Sequence, residues 1–264
     1  MLKTVFLIVT PSYNQAEYIQ QTIESVVSQD EQFEYWVLDG GSTDRSVQIL
    51  ESYATQLRWQ SKKDNGQTDA INQGIKKLRR QVQTRQDTQY IFAYLNSDDY
   101  YLRHTFRRVA QAFRKHPEKS WLVGDCLIVD EKSRVIQQLV RWYKRFWRRC
   151  YSAHILQILN PIPQPATFIR WEAVEEIGLF NEKLEYVMDY EYWHRLQQRF
   201  GDPMLIADTL AAFRIHSSSK GGTQFQKQFA EELEVAQTFS KNSVLIILHR
   251  IHNLLIAGIY RMIK

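Results

Sequence analysis

The chain has 264 residues, of which 44% are hydrophobic and 24% charged. This composition excludes global disorder and provides enough apolar surface for one large α/β domain or two small ones. With only two cysteines, Cys126 and Cys150, it also excludes a disulfide scaffold and a zinc cluster. A strand-like run at residues 5–10 begins almost at once, without the apolar segment of a signal peptide, so we expect a cytoplasmic protein.

The first half of the chain alternates short apolar runs with segments of helical periodicity. Strands are predicted at residues 5–10, 33–38, 90–95 and 121–129, and helices at residues 15–29, 46–57, 67–80 and 101–115. This alternation predicts an α/β fold with a doubly wound, mostly parallel sheet flanked by helices. Ligands of such sheets bind at the carboxyl ends of the strands, which here are the polar loops 10–14, 39–44 and 96–99.

The second half breaks this alternation. The proline-rich stretch 160–165 predicts an extended connector that cannot be helical. It is followed by a predicted strand at residues 167–171, helices at 172–177 and 188–200, a strand at 205–215 and a Ser/Gly-rich, mobile loop at 217–223. The last segment, 243–264, is predicted to be an amphipathic helix that packs on the body or lies on a bilayer, since charges interrupt its apolar run. Its apolar face comprises Val244, Ile247, Leu248, Ile251, Leu254, Leu255, Ile259 and Met262.

The net charge of +5 reflects a local excess of cations. Residues 141–149 read Arg-Trp-Tyr-Lys-Arg-Phe-Trp-Arg-Arg. Basic charge interleaved with aromatic residues is compatible with nucleic acid. It is equally compatible with an anionic membrane surface, where Trp and Tyr lie at the headgroup level. A solvated helix whose aromatic side chains pack on the core is the third interpretation, and the sequence leaves all three open.

Two adjacent carboxylates, Asp98 and Asp99, follow the apolar run at residues 90–95. At the end of a strand, one of them can bind a hard cation while the other holds a sugar hydroxyl. Oxygen ligands suit Mg²⁺ or Mn²⁺, which usually arrive with substrate phosphates. Taken alone, the pair is better explained as a turn that ends the strand. The polar loops after the neighbouring strands favour a functional site.

The residues that follow the first two predicted strands suit a nucleotide. Pro11 and Tyr13 can wall a pocket for a planar base, and the backbone of Thr10 offers hydrogen bonds. Asp39 ends the second strand, where a carboxylate can accept a hydrogen bond from a uracil-type imide. A tight turn that caps the next helix is the alternative explanation of residues 39–44.

Six motifs along the chain belong together: VTPSYN at residues 9–14, LDGGSTD at 38–44, DAINQG at 69–74, LNSDD at 95–99, QPATF at 164–168 and MDYEYW at 188–193. Their order and spacing resemble those of family 2 glycosyltransferases over residues 4–216. Each motif alone is weak, but the set is highly specific.

The resemblance implies a GT-A fold, in which a nucleotide-binding α/β half joins an acceptor-binding half. We expect a nucleotide-sugar-binding half at residues 1–130, a basic-aromatic insert at 131–160, an acceptor-binding half at 161–225 and a C-terminal helical extension at 226–264. The implied reaction is an inverting transfer of a sugar from a nucleoside diphosphate-sugar, UDP-linked by expectation, to a hydroxyl-bearing acceptor. A saccharide or lipid-linked saccharide of envelope glycan assembly is the expected acceptor, with peripheral attachment to the inner membrane face.

The resemblance also implies roles for individual residues. The implied nucleotide-sugar-binding residues are Thr10, Pro11, Tyr13, Asn14, Asp39, Asp64, Asp69 and Asp98. Asp99 is the implied ligand of Mn²⁺ or Mg²⁺, and His216 can approach the metal or the diphosphate. Asn96 stands where many relatives have Asp, which leaves open which residue holds the metal.

Asp189 is the implied general base, and the alternative is an acid that only caps its helix. The implied acceptor-side residues are Gln164, Glu191 and Trp193. A different class of function also fits the sequence, namely a nucleotide- or nucleic-acid-binding protein without transferase activity. It would use residues 141–149, its affinity for nucleic acid would fall steeply with salt, and it would not depend on Asp189.

Overall fold

The computed structural model of the protein describes residues 2–82, 85, 87–217 and 225–263. The strands within these ranges are β1 (Lys3–Ser12), β2 (Gln32–Asp39), β3 (Arg58–Ser61), β4 (Thr88–Tyr94), β5 (Tyr100–Tyr101), β6 (Trp121–Val129), β7 (Thr167–Arg170) and β8 (Met204–Arg214). They form one eight-stranded sheet in the order β3-β2-β1-β4-β7-β6-β8-β5.

The helices in the described part of the chain lie on both faces of the sheet, and the last two follow β8 in the chain. They are α1 (Ile19–Val27), α2 (Ser46–Ser52), α3 (Gln67–Gln81), α4 (Thr105–Lys115), α5 (Gln138–Arg149), α6 (Ala153–Ile158), α7 (Trp171–Ile177), α8 (Met188–Phe200), α9 (Phe225–Phe239) and α10 (Ser243–Ile263), with a short 3-10 helix at Gln164–Ala166. Among the described helices, none has both the length and the apolar character that crossing a membrane requires.

The sheet is mostly parallel, as predicted. Strand β1 pairs in parallel with β2 on one side and β4 on the other, and β2 pairs in parallel with β3. Strand β7 runs antiparallel between β4 and β6, whereas β6 and β8 are parallel. The chain leaves β1 toward β2 and β3 and then returns to β4. The strand order therefore reverses between β1 and β4, and crevices at such switch points are where open α/β sheets bind ligands.

Alternation along β1 explains the two-layered core. Leu7 and Val9 point into the cluster that includes Phe92, whereas Phe6 and Ile8 point into the cluster that includes Phe106. These side chains have no exposed surface. Burial of each large apolar side chain contributes about 1.5–3 kcal/mol, so the central strands hold the loops at their carboxyl ends on a rigid base.

Several element boundaries differ from the predictions. Strands β3 and β5 were not predicted, because they are short and carry little apolar alternation. The helix predicted from residue 101 begins at Thr105 instead, since Tyr100 and Tyr101 pair with Ala212 and Ala211 of β8. The helices predicted at residues 15–29 and 46–57 are shorter, Ile19–Val27 and Ser46–Ser52.

The prediction that residues 160–165 exclude helix is wrong at its end. The 3-10 helix Gln164–Ala166 includes Pro165, which is tolerated because a residue in the first turn needs no backbone N–H donor. Residues 131–160 contain α5 and α6. The predicted loop at residues 217–223 lies outside the described residues except for Ser217. The division into four segments stays a prediction, and strands from both predicted halves share the one sheet.

Candidate active site

The loops after β1 and β2 are joined by Asn14. Its side-chain oxygen accepts a hydrogen bond from the Thr43 N–H at 2.8 Å, and its own N–H donates to the Ser42 hydroxyl at 2.7 Å. Its φ of 51° lies in the left-handed region, which Asn adopts more readily than most residues. The neighbouring Tyr13 has 59% of its side chain exposed. The loop therefore exposes the ring of Tyr13 next to a turn that the hydrogen bonds of Asn14 hold in place.

Two residues predicted to contact the nucleotide are buried instead. Thr10 has no exposed surface, and its hydroxyl lies 3.0 Å from that of Tyr35. Its backbone is part of β1, opposite Val37 of β2. Pro11 is also buried in the strand. Burial contradicts direct contact of Thr10 and Pro11 with the nucleotide, because neither residue presents atoms to a ligand. Tyr13 is the only one of these three residues whose side chain is still available to contact a base.

The carboxylate of Asp39 builds the turn after β2. It accepts hydrogen bonds from the N–H groups of Gly41 and Ser42 and from the hydroxyls of Ser42 and Ser61, at 2.5–3.1 Å. A carboxylate has about four acceptor positions, and only 2% of Asp39 is exposed. The structure thus supports the turn explanation of residues 39–44, and contact with a base would have to replace one of these bonds.

Asp64 and Asp69 lie next to this turn. Asp64 accepts a hydrogen bond from the Gly66 N–H at 2.9 Å, and Asp69 accepts one from the Asn65 N–H at 3.0 Å. A Cβ on Gly40 would lie 3.0 Å from both carboxylate oxygens of Asp64, so a larger residue there would displace this carboxylate. Burial raises the pKa of Asp64, and the charges of Asp69 and Asp39 add to this effect. These oxygens are positioned to accept hydrogen bonds from hydroxyl groups.

Asp98 pairs with His216 at the end of β4. One Asp98 carboxylate oxygen lies 3.0 Å from His216 Nε2, and the Asp98 side chain is 20% exposed. The backbone carbonyl of Asp98 accepts a hydrogen bond from the Arg214 guanidinium at 2.9 Å. Two groups that are distant in sequence, one carboxylate and one imidazole, therefore meet at the edge of the sheet where β1 and β4 end.

The prediction that Asp99 binds the metal is wrong in this structure, because Asp99 has no exposed surface. One carboxylate oxygen accepts a hydrogen bond from the Arg214 N–H at 2.9 Å, and the other lies 3.4 Å from the Asn96 amide nitrogen. Burial, followed by the charge of Asp98, holds the pKa of Asp99 well above its ordinary range. Asp99 therefore joins β4 to β8, and the exposed member of the pair is Asp98.

Asn96 connects this region to two other elements. Its side-chain oxygen accepts a hydrogen bond from the Gln67 amide at 2.7 Å, and its amide nitrogen lies 3.4 Å from the Gln164 side-chain oxygen. The Gln164 amide donates in turn to the Tyr94 carbonyl at 2.7 Å. Gln164 is thus held against the loop after β4, next to the predicted metal and donor residues.

Asp189 lies in the first turn of α8 and is partly buried. Burial raises its pKa to about 6, although the Tyr190 N–H, which donates to it at 2.7 Å, and the charge of Lys144 act in the opposite direction. The adjacent Met188 sulfur lies 2.7 Å from the Thr68 hydroxyl in the first turn of α3. The start of α8 therefore packs against the start of α3, whose Gln67 contacts Asn96.

The predictions for Glu191 and Trp193 are corrected by their contacts. Glu191 is paired with Arg195 at 2.9 Å, and that guanidinium also donates to carbonyls at the end of α7. Trp193 is 1% exposed, and its ring stacks on Trp121 with 6.1 Å between the ring centres. Both residues thus hold α8 against the body. Glu191 lies on a helical face that differs from that of Asp189, whereas Trp193 lies one turn after Asp189 and is buried in the core.

Two residues that the sequence did not reveal organise the site. Glu231 of α9 accepts hydrogen bonds from the N–H groups of Glu185, Tyr186 and Val187, at 2.7–3.0 Å, and so fixes the loop that enters α8. Arg214 is buried and joins the Asp98 loop to the carbonyls of residues 130 and 131. No local motif marks Glu231, because its partners lie some 45 positions earlier in the chain.

The described residues contain no group of three or more His, Cys, Asp or Glu side chains arranged to hold a metal ion. Asp98 still fits a divalent cation, and the imidazole nitrogen of His216 also suits Mn²⁺. The His216 side chain is only 3% exposed, so it would reach an ion through Nε2, the atom that lies against Asp98. Mg²⁺ and similar ions are commonly held by one or two protein ligands, with substrate phosphates and water completing the shell. The pair is thus an adequate donor set only when a phosphorylated ligand is present.

Comparisons with known proteins agree with this geometry. Residues 7–177 match the family described as Glycosyl transferase family 2, and the chain belongs to this family. It is 25% identical over 219 residues to an uncharacterised glycosyltransferase of Rickettsia typhi, covering 82% of this chain and 65% of that protein. It is 24% identical to a PGL/p-HBAD biosynthesis glycosyltransferase of Mycobacterium bovis, covering 95% of this chain and 92% of the relative.

Solved structures show the same fold. The structure of S. aureus TarS 1-349 in complex with UDP-GlcNAc matches with a TM-score of 0.66 at 18% identity, covering 90% of this chain and 66% of that one. The mannosyltransferase PcManGT from Pyrobaculum calidifontis, in complex with GDP-Man and Mn²⁺, also has a TM-score of 0.66, at 14% identity and with coverage of 93% and 68%. The predicted GT-A fold is confirmed.

Proposed function

We propose that the chain transfers a sugar from a nucleoside diphosphate-sugar to a hydroxyl of a saccharide or lipid-linked saccharide, with inversion at the anomeric carbon. One observation carries this proposal: the loop after β4 holds the Asp98–His216 pair and also contacts the start of α3, against which the start of α8 packs. The half-buried Asp189 lies in that first turn of α8. The two similar solved structures, which are complexes with UDP-GlcNAc and with GDP-Man, support a nucleotide-sugar donor. We favour a UDP-linked one.

Asp98 and His216 would hold Mn²⁺ or Mg²⁺ together with the donor diphosphate. The Mn²⁺ in the complex of the mannosyltransferase supports this choice of metal. When bound, the ion would neutralise the charge that develops on the leaving diphosphate. Arg214 keeps Asp98 in position through its bond to the Asp98 carbonyl, and the buried Asp99 fixes the same loop from below.

Asp189 would act as the general base. The acceptor oxygen attacks the anomeric carbon while its proton passes to the Asp189 carboxylate, and the bond from the anomeric carbon to the diphosphate oxygen breaks with its electron pair leaving on the diphosphate. A single displacement of this kind inverts the configuration. A base is most effective when its pKa lies near the working pH, and burial brings the pKa of Asp189 to about 6.

The nucleotide would lie over the loops after β1 and β2. Tyr13 offers an exposed ring for stacking, and Asn14 holds the loop that carries it. Asp64 and Asp69 would accept hydrogen bonds from the ribose, and Asp39 would contact the base by exchanging one bond of its turn. Gln164 would stand on the acceptor side of the Asp98 loop.

Nucleic-acid binding through residues 141–149 is not favoured. Arg141 and Arg148 point inward and donate to Asp125, at 2.6 Å and 2.5 Å. The segment thus presents fewer cations to a phosphate backbone than its sequence indicates.

Isothermal titration of the full chain with UDP, GDP and dTDP, each with and without Mn²⁺, tests the donor site. We expect metal-dependent binding of one nucleotide, most strongly UDP, that is lost in Asp98→Asn and retained in Asp189→Asn. Asp208→Asn, a change of an exposed acid on β8, is the matched control and should bind like the wild type. Absence of binding for all three nucleotides in both conditions would refute the proposal.

A further inference from the structure

Helix α5 directs two of its arginines inward and several of its apolar residues outward. Arg141 and Arg148 both donate to the carboxylate of Asp125, which is 1% exposed. The opposite face carries three exposed apolar side chains: Leu139, Trp142 and Phe146. Their spacing of three and four residues places them on one stripe of the helix. A helix that faces only water has the reverse arrangement, so this stripe indicates an apolar partner.

Helix α10 repeats the arrangement. Its inward side carries two polar residues besides Ile246, which packs against the core. His249 is fully buried with Nδ1 at 2.9 Å from the Gln157 carbonyl, and Asn253 is also buried. Its outward side is apolar, with six large exposed side chains: Val244, Ile247, Leu248, Ile251, Leu254 and Leu255. Polar groups thus attach the helix to the body, while the residues that would form a core remain uncovered within the described chain.

The two helices meet each other. The Tyr143 hydroxyl lies 2.8 Å from His252 Nε2, and the two rings are parallel within 7°. Tyr143 is still 37% exposed, so this contact lies near the surface, next to the stripe that contains Trp142. The helices that carry the two outward stripes are therefore neighbours, and the Tyr143–His252 contact between them lies near the protein surface.

The two segments that carry these stripes contain cations and no acidic residue. All 29 acidic residues of the chain lie outside residues 132–171 and 235–264, the two segments that contain α5 and α10. Arg145, Arg149 and Arg250 lie on the two helices with partly or fully exposed side chains. No carboxylate in the described residues forms a salt bridge with any of the three, in contrast to the inward-facing Arg141. The apolar stripes are thus flanked by cations that form no salt bridge with the carboxylates of the described residues.

We propose that the α5–α10 surface, defined by the two apolar stripes and by Arg145, Arg149 and Arg250, docks on an anionic lipid bilayer. Apolar stripes would enter the headgroup region, where Trp is favoured, while the arginines contact lipid phosphates. Charge complementarity selects this partner over a second copy of the chain. Two copies meeting through this surface would bring cations against cations without any acidic residue to pair with them.

Flotation of the full chain with vesicles, in the absence of donor and acceptor, tests this surface separately from the transferase proposal. We expect binding to phosphatidylcholine–phosphatidylglycerol vesicles, weaker binding to pure phosphatidylcholine vesicles, and a decrease in both affinities with Trp142→Ala/Phe146→Ala. Leu205→Ala, which changes an exposed apolar residue on β8, should bind like the wild type.

The charge contribution is tested with Arg145→Gln/Arg149→Gln. Loss of two cations near an anionic surface should weaken binding about 30-fold, at about fivefold per cation. The control Lys76→Gln/Arg103→Gln removes two exposed cations from α3 and from the segment before α4 and should leave binding unchanged. Circular dichroism checks that every variant is folded.

Two results would overturn the proposal. One is equal loss of binding in the α5 variants and in the controls, which would indicate a general charge effect. The other is a stable dimer in sedimentation velocity that Trp142→Ala/Phe146→Ala dissociates, with no affinity for anionic vesicles. In that case the surface would be an interface between copies, and nucleotide binding would remain a separate question.

Discussion

Replacing Asp189 with Asn should strongly reduce the transfer rate and stabilise the protein at the same time. The pKa of this carboxyl rises from an ordinary 3.8 to about 6 because the side chain is partly buried at the start of α8. This difference corresponds to about 3 kcal/mol, at 1.36 kcal/mol for each pH unit. Because Asp189 retains contact with solvent, screening reduces the value to about 1–2 kcal/mol.

The direction of this change in stability follows from the protonation of Asp189 in the folded and unfolded states. The folded protein holds the proton of Asp189 up to about pH 6, whereas the unfolded chain releases it near pH 4. The ionised carboxylate is therefore disfavoured in the folded state, and the free energy of unfolding of the wild type falls as the pH rises from about 4 to about 6. Asn cannot ionise, and its side-chain oxygen can still accept the bond from the Tyr190 N–H.

Urea denaturation of the wild type and of Asp189→Asn at several pH values measures this effect. The difference in unfolding free energy should be near zero at about pH 4, reach about 1–2 kcal/mol in favour of the variant near pH 6 and stay constant above. The transfer rate should fall by about 10²–10⁴-fold, and the wild-type rate should rise with pH through about 6. Asp208→Asn is the control. A stability difference that does not depend on pH, or an unchanged rate, would refute the reasoning.

Three further predictions concern other parts of the site. Asp99→Ala should lower the unfolding free energy in urea by about 1–3 kcal/mol, because it leaves the buried backbone N–H of Arg214 without an acceptor. Asp98→Asn should retain stability and lose Mn²⁺-dependent nucleotide binding in calorimetry. Glu231→Ala should cost about 1–3 kcal/mol and reduce kcat, since the loop entering α8 loses its acceptor; Glu231→Gln, which keeps an acceptor oxygen, should recover part of both. Gly74→Ala would place a methyl group 2.5 Å from Val9 Cγ1 and should cost about 1–3 kcal/mol in the same assay, so an unchanged midpoint would contradict this close packing.

The elements with strong periodic patterns are those that the sequence predicts well. β6 and α8 have the predicted boundaries, Trp121–Val129 and Met188–Phe200. β6 is a nearly continuous apolar run, and α8 has helical periodicity over its full length. Strand β3 has four residues and exists through its pairing with β2. A pairing of this kind is a tertiary contact and leaves no periodic pattern in the segment itself.

The residues of the candidate site also separate into those that the sequence predicts and those that only the structure identifies. Polar residues after apolar runs mark the loops after β1, β2 and β4, and the motifs select Asp98 and Asp189 from sequence alone. The choice between Asp98 and Asp99 required the structure, because adjacent side chains point in different directions and only one of them remains exposed. His216 joins Asp98 from 118 positions away in the chain.

Local sequence thus determines which segments become strands and helices, and where polar chemistry interrupts them, since these properties depend on neighbouring residues. The direction of each charged side chain depends on what packs against it. Arg141 and Arg148 appear in the sequence as part of a cationic patch, yet they point inward because Asp125 is buried beneath α5. Only folding brings such distant groups together, and it leaves the aromatic residues of the same helix exposed.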